Sequence, residues 1–315
     1  MKPRFRPGDR VRVRAVEVPG HTRTPGYLKG RRGVIERFCG LFRNPEELAY
    51  GRAGFPEKAV YRVRFPLRSL WPEYAGGPDD TLVADLYEHW IDGGPGRATA
   101  GGAGPREMRR VPEAPADGPS AEVQSAYHRR LEVAVRELLI EKGVLTVEEL
   151  RRQVADTDGR TALNGATVVA RAWRDPAFRA RLLADARIGC RDCLGIDIGE
   201  LPRVIAVQDT NEVHNVIVSS LGGSYPRSLI GSPPAWYTST EYRARLVREP
   251  HAVLAEFGTR LPAGMSLRVH DMTADLRVFV IPLQPPDTDG WSEERLARMV
   301  TRDMLIGVAL ARGIA

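Results

Sequence analysis

Cysteine is scarce in this chain. Only Cys39, Cys190 and Cys193 occur in 315 residues, too few and too unevenly spaced for a disulfide framework. No run approaches the roughly 18 apolar residues that a membrane-crossing helix needs. The amino terminus, MKPRFRPGDRVRV, lacks the apolar core of a secretory signal, so a cytoplasmic protein is expected. Charge of one sign is not concentrated either. The 46 basic and 40 acidic residues leave a net charge of +6, with arginines interspersed among acids. Nucleic acid is therefore not an expected partner, and neither is a membrane. No Gly-x-Ser-x-Gly elbow exists, which removes the usual signature of a serine nucleophile.

What is present reads as α+β. Residues 4–92 alternate in short strands: Arg10–Val11–Arg12–Val13–Arg14, Gly33–Val34–Ile35, Tyr61–Arg62–Val63–Arg64–Phe65 and Thr81 to Tyr87. Turn residues separate them, and Pro45 to Leu48 predicts one helical turn. Five or so strands in under 90 residues suit a small barrel with no open sheet edge. Residues 93–119 hold seven Gly and five Pro. Such a segment buries too little apolar surface to offset its ordering entropy and is expected to be a flexible linker.

From Ser120 the pattern becomes helical, an arm with Leu131, Val135, Leu138 and Leu139 on one face. Thr146 to Glu149 is a capping box opening a helix to about Val154. Further helices are predicted over Ala166 to Trp173 and from Asp175–Pro176, the latter with Phe178, Leu182 and Leu183 as its apolar face. Beyond Asp185 the chain returns to α+β. Val204 to Val207 and Val216 to Val218 read as buried strands. Leu267 to His270 and Leu276 to Ile281 read as a strand pair. A closing helix from Trp291–Ser292 is expected to end near Ala311.

The segment His214 to Tyr225, HNVIVSSLGGSY, concentrates the functional question. A strand runs into a loop of small residues, Ser219–Ser220–Leu221–Gly222–Gly223–Ser224, which can present backbone amides to an anion or carboxylate. His214 is read as a support for the loop, with no catalytic part. Cys190 and Cys193 form a C-x-x-C pair near Arg187 and Arg191, a candidate redox pair. Two incidental cysteines is the plainer alternative, and one pair cannot make a four-ligand zinc site.

Several motifs resemble the nitrile hydratases and thiocyanate hydrolases. Gly20–His21–Thr22–Arg23–Thr24–Pro25–Gly26–Tyr27, with Lys29 to Gly33, Asn44 to Gly51, Leu70–Trp71 and Asp85 to Glu88, is similar to the C-terminal, SH3-like half of the β subunit. Asn164–Gly165–Ala166, Ala170 to Trp173, Pro233–Pro234–Ala235–Trp236–Tyr237, Tyr242 to Arg245 and Val247 to Pro250 resemble the α subunit. The resemblance implies an SH3-like barrel over 1–92, a linker over 93–119 and an α-subunit-like domain over 120–315. The helical first half of a β subunit is absent. A homodimer, or a complex with a separate subunit supplying that half, is expected.

In that family a loop with three cysteines holds non-haem Fe(III) or non-corrin Co(III), which polarises a nitrile or activates the attacking group. Aligned on this chain, the cysteine positions fall on Ser219, Gly222 and Ser224, with Ser220, Leu221 and Gly223 between them. Two hydroxyls and a glycine cannot replace three thiolates, so no metal and no cofactor is expected. Arg23 matches the β-subunit arginine that contacts the oxidised cysteines. Ser220, Tyr225, Arg227, Trp236 and Tyr237 complete the expected pocket. The expected function is a family homologue with a degenerate metal loop, serving as a small-molecule-binding, partner or repurposed biosynthetic protein. Alternatives are an active hydratase or thiocyanate-hydrolase-like enzyme with another ligand set, and an RNA-binding barrel protein.

Overall fold

The computed structural model describes residues 3–16, 22–93, 121–150, 162–199 and 203–311. Strand β1 (Arg10–Val13) points Val11 and Val13 inward and its arginines outward, as its alternation dictates. β2 (Arg32–Phe42), β3 (Lys58–Pro66), β4 (Thr81–Tyr87) and β5 (Ile91–Gly93) follow. They pair antiparallel in the order β5-β1-β2-β3-β4. Two register shifts between β2 and β3 bend this long pair. The turn Pro45–Leu48 forms because Asn44 accepts from the Glu46 N–H and Pro45 occupies the first helical position.

Pairing does not close these strands into a ring of their own. The outer edge of β4 pairs in parallel with β8 (Ser266–Asp271), which pairs in parallel with β7 (Val213–Val218). The result is one seven-stranded sheet. The two late strands do not pair with each other, against expectation. β9 (Leu276–Ile281) does not pair with β8 but runs parallel to β6 (Arg203–Gln208) in a separate two-stranded sheet. Both late strands are buried on both faces, as parallel strands are, and alternation cannot name a neighbour. The connection between them turns Met272 inward, where its sulfur accepts from the Val278 N–H at 2.8 Å.

The chain divides into two compact units, Met1–Arg97 with Arg160–Ala315, and Ala98–Gly159. Beyond Gly93, the expected linker lies outside the described residues. In the smaller unit, helix Ala121–Glu141 precedes the capping box: Glu149 N–H donates to Thr146 Oγ1 at 3.1 Å, and Thr146 N–H to Glu149 at 2.8 Å. Past Leu150 the second helix lies outside the described residues. No helix among the described residues is long and apolar enough to cross a membrane.

In the larger unit, helix Leu163–Arg174 buries Val168, Val169, Ala172 and Trp173. A Cβ on Gly165 would come within 2.9 Å of the Leu229 carbonyl oxygen, so this close approach needs glycine. Helix Pro176–Ala184 follows, capped by Asp175. The expected single closing helix is two: Glu293–Met299 and Arg302–Ile306. Val300 is extended between them, and Thr301 caps the second by accepting from the Met304 N–H. The break carries Gly307 (φ 89°) against β7, where any Cβ would overlap the carbonyl of Asn215. His214 lies buried beneath this crossing, its Nε2 2.7 Å from the Gly307 carbonyl and its Nδ1 2.9 Å from Asp209. Asn215 bonds Asp209 and takes a hydrogen bond from buried His270 Nε2 at 2.8 Å.

The two histidines are pushed in opposite directions. Burial opposes the charge of His214, but Asp209 and the Gly307 carbonyl outweigh it and raise its pKa. Burial, then the charges of Arg62, Arg268 and Arg37, hold His270 well below the ordinary histidine value. His214 thus contributes stability that is complete below its unfolded pKa of about 6.5 and lost as pH rises through the folded value. His270 contributes stability that is complete above about 6.5 and lost as pH falls toward its depressed value. Urea midpoints across pH 5 to 9 should show that His214→Gln removes only an alkaline limb and His270→Gln only an acid limb. Gly307→Ala should cost on the order of 2–3 kcal/mol in urea unfolding, because it combines a positive φ with a backbone clash.

Candidate functional site

The loop Ser219–Ser224 begins where β7 ends, and strand register decides what it meets. Asp271, the last residue of β8, pairs with Val218 on one side and Ala84 of β4 on the other. Its carboxylate therefore stands at the mouth of the loop, 4% exposed. Three donors converge on it: Ser220 N–H at 2.7 Å, Ser220 Oγ at 2.5 Å and the Tyr27 hydroxyl at 2.5 Å. Burial is the larger effect on Asp271 and lifts its pKa above the usual carboxylate range despite these donors. Burial and the neighbouring Asp271 charge also push Tyr27 well up, which keeps its hydroxyl protonated as a donor.

Behind the loop stands an aromatic wall. Tyr225 meets Tyr237 edge-on at 4.8 Å, and the Tyr237 hydroxyl donates to the Ser224 carbonyl at 3.0 Å. Trp236 packs against Tyr237, Tyr242 and Phe257. Arg243 reaches the Ser220 carbonyl, and Arg277 on β9 reaches the Tyr225 carbonyl at 2.9 Å. In front lies a cavity of about 280 Å³, lined by the loop, the Met272 to Ala274 connection, Arg23 and Arg277.

Of the residues singled out in the sequence, Arg23, Ser219, Gly222, Gly223 and Ser224 share this cavity. Ser220 turns instead to Asp271, and Tyr225, Trp236 and Tyr237 lie in the wall. Arg227 is exposed at the start of the short helix Arg227–Ile230 and does not line the cavity. Arg277 holds the position expected of it. Cys190 is buried in helix Ala186–Leu194, away from the cavity, and the side chain of Cys193 lies outside the described residues. Sequence reasoning did not single out Asp271, Tyr27 or Arg277 as functional residues. The one local signal, a carboxylate closing an apolar strand, is too common to mark a site.

Ser219 is buried, and its Oγ donates to the Met272 carbonyl at 3.2 Å. Gly222 and Gly223 have no positive φ, and a Cβ on either would meet nothing within 4 Å. Neither backbone geometry nor space therefore requires glycine there. Among the described residues no three His, Cys, Asp or Glu side chains gather as a metal site. Two larger hollows, about 570 Å³ beside Cys39 and Arg203 and about 760 Å³ beside Trp71 and His251, do not reach the loop.

Residues 126–309 match the family model described as Nitrile hydratase, alpha chain, and residues 1–93 match Nitrile hydratase beta subunit, C-terminal. The cobalt-containing nitrile hydratase subunit alpha of Pseudonocardia thermophila is 40% identical over 195 residues, covering 61% of this chain and 95% of that subunit. The nitrile hydratase subunit beta of Pseudomonas chlororaphis is 35% identical over 96 residues, covering 30% of this chain and 43% of that subunit. A solved recombinant thiocyanate hydrolase with partially modified cobalt centres is similar with a TM-score of 0.56 and 38% identity, covering 59% of this chain and 90% of its own. The chain belongs to the nitrile hydratase family, with a β-type C-terminal segment fused ahead of an α-type chain.

Proposed function

We propose that this chain is a nitrile hydratase family protein whose metal loop no longer holds a metal. It acts as a small-molecule-binding or partner protein and does not hydrate nitriles by the metal route. The supporting observation is the donor set of Ser219, Gly222 and Ser224. A trivalent iron or cobalt needs soft, strongly donating ligands. Here one hydroxyl is buried and engaged with a backbone carbonyl, one position has no side chain, and the third is a neutral hydroxyl. These residues do not fit the ion. Hydrogen bonds to Asp271 and from Tyr237 hold the loop in its place.

The domain reading belongs to the same proposal: an SH3-like barrel over 1–92, a flexible linker over 93–119 and an α-type domain over 120–315. So does the assembly. The β-type segment matches less than half of the β relative, so a homodimer, or a complex with a separate subunit carrying the missing half, completes the particle.

Metal analysis of the purified protein tests the central point. The expected result is far less than one iron or cobalt per chain, and about one tightly held ion per chain would sink the reading. Because the loop has room at 222, a Ser219→Cys/Gly222→Cys/Ser224→Cys variant expressed with cobalt should gain metal where the parent has none.

A further inference from the structure

The cavity in front of the loop is electrostatically incomplete. Arg23 and Arg277 both line it, and no carboxylate does. The Nε of each is buried without a hydrogen-bond partner. Neither guanidinium forms an ion pair within the described residues. Two acids lie close by, but both are committed: Asp271 to Ser220 and Tyr27, and Asp275 to the Tyr87 hydroxyl at 2.9 Å. Arg227 adds to the same positive field and, after burial itself, is the main charge disfavouring protonated Arg277. The Gly223 and Ser224 amides have no backbone acceptor among the described residues. Two half-buried guanidiniums lining one small cavity, with no carboxylate in its lining, favour an anion between them.

We propose that this cavity binds a small organic carboxylate, held between Arg23 and Arg277, with its short apolar tail against Leu221, Met272 and Ala274. The inference rests on the reading of the loop as metal-free and specifies the ligand of that site. A guanidinium fork matches the two oxygens of a carboxylate better than a single point charge does. About 280 Å³ admits only a small molecule, at the low end of ligand pockets. The apolar side chains at one end distinguish a carboxylate with a tail from a bare inorganic anion.

Calorimetric titration of the full chain at constant ionic strength tests this, with sodium propionate, neutral propionamide and sodium sulfate as probes. Propionate should bind saturably at one site per chain, propionamide should not bind, and sulfate should bind more weakly. Arg23→Met and Arg277→Met should each weaken propionate about tenfold or more. Because Arg277 also braces the Tyr225 carbonyl, Gly222→Asp supplies an independent arm. A side chain there enters open space, so its carboxylate should occupy the site from within, abolish propionate binding and raise the melting temperature. Equal binding of propionate and propionamide, tighter binding of sulfate, or undiminished binding in Arg23→Met and Gly222→Asp would overturn the proposal. The same preparation is analysed for metal. Stoichiometric cobalt or iron would overturn the underlying reading of the loop. Metal-free protein that binds no carboxylate would overturn this inference alone.

Discussion

The parallel ladder between β4 and β8 is the constraint from which the site follows. It joins the β-type segment to the α-type chain edge to edge, from Thr81↔Arg268 to Ala84↔Asp271. A parallel pair cannot be closed by a tight turn, so these strands come from distant parts of the sequence. Other bonds lock the same seam. Asp80 accepts from the Leu267 N–H at 2.7 Å and lies 2.8 Å from His251, while the Trp71 indole donates to the Val247 carbonyl at 2.6 Å. With the seam in place, the turn carrying Arg23 and Tyr27 stands opposite a loop almost two hundred residues further on.

Beneath the seam, several buried charged groups have close partners. Arg62 and Asp85 form a two-pronged pair at 2.9 and 3.0 Å, both almost wholly buried. Burial first, then Asp85, pushes the nearby Cys39 thiol up to about 12, so it packs as a neutral group. Asp271 has three donors, and His214 has Asp209. Removing one member of such a set leaves the other buried and unpaired, which costs more than the pair itself contributes. Arg23 and Arg277 differ in lining the cavity by the loop, where no carboxylate is part of the lining.

The aromatic wall of Tyr225, Trp236 and Tyr237, the β7 strand and Arg23 keep a pocket around residues 219–224. Gly222 and Gly223 leave open the space that larger side chains would fill. A metal crosslinks such a loop through its ligands. Asp271 holds the loop's first turn through hydrogen bonds from Ser220 that each contribute about a kilocalorie.

Local pattern was enough to read much of this chain. Alternation located the strands, Thr146 and Asp175 announced their helix starts, and the motifs around Arg23 and Trp236 carried the family. The absence of cysteine from Ser219 to Ser224 was equally plain, because residue type is visible in one dimension. What tertiary structure decided was who stands beside whom. Pattern paired β8 with β9, because hairpins are the usual partners of near neighbours, whereas burial on both faces sent them to different sheets. It placed Arg227 in the pocket, where helix geometry turns that residue outward and β9 supplies Arg277 instead. Asp271 and Tyr27 stayed unmarked because their roles exist only through each other. A side chain's chemical type is written in the sequence, but its countercharge is set by the partner that folding brings within 3 Å.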